Sequence, residues 1–185
     1  MTTAAGSATV RARLALWLFF ASEVFLFGAL LAVRFHLWGA TRPDLDPRLG
    51  LGVTSILLTS SFFMNRAEAA IARGDRLNFL GGLVLTAALG VSFLIGVIGF
   101  EWQGELRPGD GVYGSILFAM TGLHAFHVLT GLGFIGIILV RSAGRRFTPD
   151  NHWGVEACAI YWHFVDLVWV FYYPALYLMG SPVGP

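Results

Sequence analysis

Five runs of predominantly apolar residues, near 13–37, 50–72, 79–100, 113–140 and 153–179, fill most of the chain. Each matches the ~20 residues an α-helix needs to cross the ~30 Å hydrocarbon core of a bilayer. In hydrocarbon, backbone polar groups must be satisfied within the segment, so runs of this length specify helices. The connections are short. The expected fold is therefore all-α: an integral membrane bundle of five transmembrane helices, one domain over residues 1–185. Composition agrees, with 56% hydrophobic and 12% charged residues and a mean hydropathy of +0.70. The leading MTTAAGSATVRAR is polar, and no small-residue cleavage site follows it, so the first run reads as an uncleaved span.

Arginines set the expected topology, because the chain has no lysine. The N-terminus and the 2–3 and 4–5 loops carry Arg11, Arg13, Arg66, Arg73, Arg76, Arg141, Arg145 and Arg146. The other side carries Arg34, Arg42, Arg48 and Arg107. This imbalance places the N-terminus inside and the C-terminus outside. The basic residues are scattered over loops rather than gathered in a patch, which excludes a nucleic-acid surface. Cys158 is the single cysteine and lies inside a span, where it reads as a small apolar filler. Ala88, Ser92 and Gly96 repeat every four residues in the third span, and Gly131, Gly133 and Gly136 thin the fourth. Both patterns predict close helix packing.

Polar residues inside the spans are the functional candidates, since each costs roughly 2.5–3.5 kcal/mol on insertion scales. The last span carries Glu156, His163 and Asp166 on one side of a Trp- and Tyr-rich helix. Glu23 lies ~15 Å into the first span. It should be either protonated or paired, as a carboxyl bonded to a neighbouring helix or as a proton-handling or lipid-facing group. His124 and His127 lie three apart in the fourth span. Two histidines on one helix suit a metal or haem, but the Glu-x-x-His pairs of a di-iron bundle are absent. His163 is the only other deeply placed histidine. The expectation is a hydrogen-bonded polar core in which His124 or His127 reaches Glu156, His163 or Asp166.

The runs ASEVFLFG, GDGVYGSILFAMTGLHAFHVLTG and HWGVEACAIYWHFVDLVW resemble subunit III of haem–copper cytochrome c oxidases, in order and spacing, from Leu14 onward. The resemblance implies a helical bundle docked on subunit I, and the five spans are similar to the short bacterial form that lacks the first two helices of seven. It implies no redox centre in this chain; haem and copper sit in partner subunits I and II. By the same resemblance Glu23 matches the carbodiimide-reactive carboxylate of a Ser-Glu-Val motif. His124 and His127 match Gly-x-His-x-x-His, and Glu156, His163 and Asp166 match the last-helix motif. Arg141 and Arg146 fall where family members contact phospholipid head groups, a role that suits the forked guanidinium; plain interface anchoring is the other reading. Two departures stand out. The absent helices normally wall a lipid cleft, and Pro174 should kink or loosen the last two turns.

The function implied is that of a non-catalytic subunit of a proton-pumping terminal oxidase in a bacterial cytoplasmic membrane, multi-pass, holding phospholipid, supporting subunit I and sustaining proton uptake. The alternatives are a homologue associated with nitric oxide reductase, a stand-alone redox protein using His124, His127 and His163, and a proton-coupled transporter using Glu23 and Asp166. The poor ligand set predicts that the purified chain binds no haem, copper or iron. Visible absorption and metal analysis check this, and a stoichiometric Soret band refutes it.

Overall fold

The computed structural model describes residues 2–104, 106–144 and 146–183. Among them five α-helices run α1 Thr2–Trp38, α2 Pro47–Ala72, α3 Arg76–Gly99, α4 Gly111–Ala143 and α5 Trp153–Tyr173. Arg145, one of the expected anchors, lies outside the described residues. Starts are set by side-chain caps. Asp46 accepts from Arg48 N at 2.8 Å, with Pro47 opening α2. Asp75 accepts from Asn78 N at 3.1 Å to open α3. The hydrogen bonds from Asn78 hold the Asp75 carboxyl below its usual range.

Helices α1, α3, α4 and α5 are long and apolar enough to cross a bilayer. Helix α2, expected as the second span, is not in that set. Beside Arg48, Asn65, Arg66 and Glu68 it carries five hydroxyls, Thr54, Ser55, Thr59, Ser60 and Ser61. Four of them donate to carbonyls three or four residues back, at 2.6–2.8 Å. Helix α2 packs between α3 and α5, and the hydroxyls of Thr54, Ser60 and Ser61 bond side chains of α5.

Trp162 of α5 is the central packing element, 1% exposed. Its ring fills a slot between Gly90 of α3 and Gly131 of α4. A Cβ at Gly90 would fall 2.6 Å from the ring, and one at Gly131 2.8 Å. Its Nε1 donates to Ser60 Oγ of α2 at 2.9 Å. Seven residues on, Trp169 donates to Thr54 Oγ1 of α2 at 2.9 Å. Two tryptophans thus rivet α5 to α2.

The expected small-residue stripe on α3 is displaced. Ala88 and Ser92 are exposed, and Ser92 merely bonds the Ala88 carbonyl. The buried face is Gly82, Thr86 and Gly90, continued by Phe93 and Gly96. Gly82 lies against Ala67 of α2, and Gly96 against Val53. Of Gly131, Gly133 and Gly136 in α4, only Gly131 makes a close approach; Gly133 and Gly136 face open space.

At the C-terminal end α5 stops being α-helical at Tyr173, and Pro174–Leu178 continue as a π turn closed by Met179 N on Pro174 O at 2.9 Å. Pro174 has no N–H to donate, so the α ladder breaks there. The loosened turn turns carbonyls toward Arg34 of α1, which is fully buried. Arg34 donates Nε to Ala175 O at 2.7 Å, and its terminal nitrogens to Gly39 O at 3.1 Å and Met179 O at 2.5 Å. Strand β1 Thr41–Pro43 then pairs in parallel with β2 Ser181–Val183. Arg34 is therefore a clamp between α1 and the chain end, not the interface anchor the topology count made it.

The Trp162 slot makes a stability prediction. Gly90→Ala or Gly131→Ala should destabilise the bundle by about 1–3 kcal/mol through overpacking. Gly133→Ala, with nothing near its Cβ, should be neutral or gain up to about 1 kcal/mol of helix propensity. Thermal unfolding in detergent checks the contrast; equal effects at all three sites would refute the slot.

Candidate functional site

The polar residues of the spans do not form one core; they divide among three places. The first is a cleft of about 990 Å³ between α1, α4 and α5. Glu23 and His127 lie deep in it, and Arg141, Arg146 and Trp153 stand nearer one end. His127 Nε2 meets Glu23 Oε2 at 3.0 Å, with side chains 8% and 13% exposed. His127 Nδ1 lies 2.9 Å from Leu123 O. A carbonyl only accepts, so Nδ1 carries a proton. Nε2 and Oε2 therefore share a single further proton, either as acid and imidazole or as carboxylate and imidazolium. The pair is net neutral in both forms, which is how a carboxyl is tolerated at that depth. From Arg141 to His127 the helix rises roughly 21 Å, enough to run from an interface to the middle of a ~30 Å core.

The second place lies between α2 and α5. His163 Nδ1 and Ser61 Oγ are 2.9 Å apart, and Ser61 also donates to Asp166 Oδ2. Read as a relay of donors, His163 Nδ1–H bonds Ser61, whose own hydroxyl proton points to Asp166. Asp166 is 4% exposed, and its Oδ1 has no partner among the described residues. Ser61 was not singled out in the sequence. Its only signal was a serine pair interrupting an apolar run.

The third place is the N-terminal end of α5. Glu156 sits in the first helical turn, and Arg13 approaches it at 3.6 Å and His152 at 3.2 Å. The Arg13 guanidinium stacks on the Trp153 ring at 4.8 Å. Arg13 is more than half exposed, so this pair is worth ~0–1 kcal/mol. Glu156 thus belongs to the end of the bundle rather than to its depth.

The expected bond from His124 or His127 to a polar side chain of α5 is not made. His124, fully buried, donates Nε2–H to the backbone carbonyl of Val165 at 3.0 Å. Its ring packs on Trp169 and edge-on to Phe93. His127 turns instead to α1. Positions three apart on a helix differ by 60°, enough here to send the two rings to different helices. Among the described residues no three His, Cys, Asp or Glu side chains converge in a group able to hold a metal ion. Cys158 is buried and lines the cleft wall.

Comparison with known proteins follows from this arrangement. The family model described as cytochrome c oxidase subunit III matches residues 3–181. The chain is similar to cytochrome c oxidase subunit 3 of Equus caballus, 37% identical over 177 residues, covering 89% of this chain and 68% of that protein. The Sus scrofa protein of that name is 37% identical over the same shares. The Papio hamadryas protein is 35% identical over 182 residues, covering 91% and 70%.

The shared-proton pair predicts how Glu23 reacts. An apolar carbodiimide attacks a protonated carboxyl, so it should label Glu23, and Glu23→Gln should abolish labelling. His127→Phe leaves the carboxyl as the only proton holder and should keep labelling at or above the wild-type level. Peptide mass spectrometry reads both; loss of labelling in His127→Phe would refute the shared proton.

Proposed function

The chain belongs to the cytochrome c oxidase subunit III family, and we propose that it acts there as a non-catalytic, lipid-holding subunit. Its relatives are subunits of an oxidoreductase complex, and its helices are those of a multi-pass membrane protein. The observation that carries the reading is the cleft. Its walls are apolar, two arginines stand toward the interface end, and the deep pair is neutral. A phospholipid has the matching shape of chemistry: an anionic head for the guanidinium forks and acyl chains for the apolar walls.

The Glu23 and His127 side chains make no hydrogen bond to a further titratable side chain among the described residues, which argues against a through-going proton path in this chain. The role proposed is indirect: lipid and helix packing support subunit I and so sustain proton uptake, with haem and copper in subunits I and II. The arginine distribution supports an N-terminus inside and a C-terminus outside, more sharply once the buried Arg34 is removed from the outer count. Placement in a bacterial cytoplasmic membrane rests on the resemblance to the short form.

Arg141→Ala combined with Arg146→Ala should lower phospholipid retained by the purified complex by about tenfold in affinity, taking roughly 1.4 kcal/mol for the loss of two charge-assisted contacts. Native mass spectrometry of the intact complex measures it. Unchanged lipid content would leave the two arginines as interface anchors only.

A further inference from the structure

At the end of the bundle opposite Arg141 and Arg146 lies a second cavity, of about 980 Å³. The α1–α2 loop, the end of α3, the start of α4 and the π turn converge on it. Asp44, Asp46, Glu101 and Asp110 line it, and among the described residues no arginine or histidine does. Asp46 is occupied in capping α2, and Asp110 accepts from Arg107 N at 2.6 Å. Glu101 is not occupied. Both its carboxyl oxygens are enclosed, and neither has a hydrogen-bond partner among the described residues.

Tyr177 turns a second unpartnered group into the same cavity. It is 1% exposed, and its hydroxyl faces the Glu101 carboxyl without well-formed hydrogen-bond geometry to any described residue. The fold holds it there. The π turn after Pro174 carries the residue, and its ring lies on Gly50 of α2, where a Cβ would fall 2.8 Å away. Enclosed polar groups without partners are rare in native folds, and each calls for an occupant or a reason. Here two sit side by side in an acidic cavity too large for either to be a packing accident.

A cationic occupant fits this cavity, because pairing stabilises an enclosed carboxylate that further carboxylates surround. A metal ion fits poorly, since no three carboxylates or histidines among the described residues converge to hold one. A group with several N–H donors fits well: it can bond both Glu101 oxygens and the Tyr177 hydroxyl oxygen together. Family membership supplies the source, because the relatives are subunits of a larger complex. We propose that this cavity receives an arginine or lysine side chain of another oxidase subunit, which pairs with Glu101 and Tyr177 and locks the two subunits together. The volume leaves room for the residues flanking that basic side chain.

This inference rests on the oxidase-subunit reading, and the test separates the two. The complex is purified with the wild-type chain, E101Q, E101D and Y177F, and retention of the chain is followed as salt rises. E101Q should be retained about tenfold less tightly, E101D should recover part of the loss because it keeps the charge, and Y177F should fall between. The thermal midpoint of each isolated chain in detergent should stay near wild type. A structure of the complex should show a basic nitrogen of another subunit within hydrogen-bond reach of Glu101. Equal retention of E101Q and wild type overturns the inference alone, as does a cavity holding only water, a free amine or a lipid head group. An E101Q chain that loses its own stability in step with retention overturns it too, making Glu101 a residue of the fold. A wild-type chain that fails to co-purify with oxidase subunits overturns the oxidase reading and this inference with it.

Discussion

The Trp162 slot is the constraint on which the remaining geometry depends. In hydrocarbon, burying apolar surface between helices gains little from water exclusion, because lipid tails are as apolar as leucine. Helices hold together through close dispersion contact and interhelical hydrogen bonds. Trp162 supplies both at one point: a large ring pressed on two helices that lack a Cβ there, and an N–H given to Ser60 on a third. With α2, α3 and α4 fixed around α5, Trp169 can reach Thr54 and His124 can reach the Val165 carbonyl. The outer helix α1 is buried over only 11% of its apolar window, and it leans on this unit through the Glu23–His127 pair and the Arg34 clamp.

The polar side chains mostly follow one rule: a donor or acceptor at depth finds its partner on another helix, or on its own backbone, though His124 Nδ1 and Asp166 Oδ1 have none among the described residues. The hydroxyls of α2 obey it by bonding back to carbonyls while accepting from tryptophan and histidine. The Glu23–His127 pair obeys it by sharing one proton. That pair ties α1 to α4 but leaves the space beside it unfilled, and the result is a cleft with a neutral polar depth and apolar walls. The opposite end of the bundle breaks the rule at Glu101 and Tyr177, which is why that end, rather than the cleft, points to a partner chain.

Much was legible in the residues themselves. Long apolar runs placed the five helices to within a few residues at most ends, although α1 starts at Thr2 rather than near 13 and α2 is not apolar enough to count as a span. Pro174 announced the break in the last helix, since a missing N–H acts wherever it falls. Glu23 stood out because a lone carboxyl in an apolar run must find a partner. The order and spacing of three long runs carried the family. What sequence spacing misjudged was direction. Ala88, Ser92 and Gly96 are small at helical spacing, yet of these only Gly96 packs, on a face with Gly82, Thr86 and Gly90, which Trp162 seats itself against. Arg34 was counted as an interface charge, yet it is buried under carbonyls that only the π turn exposes. Ser61 carried only the weak signal of a serine pair in an apolar run, because such a serine gains meaning only from what lies opposite.

By itself, then, the sequence determined the helices, their ends and the need for each buried polar group to be partnered, because these depend on interactions within a segment or between a residue and the bilayer. Only the tertiary structure decided which partner each group took. Two histidines three residues apart serve different helices, and His163 and Asp166 turn to α2 rather than α4. Partner choice depends on the rotation of each helix about its own axis. That rotation is set by contacts between residues distant in the chain, chiefly a tryptophan ring seated between two glycines.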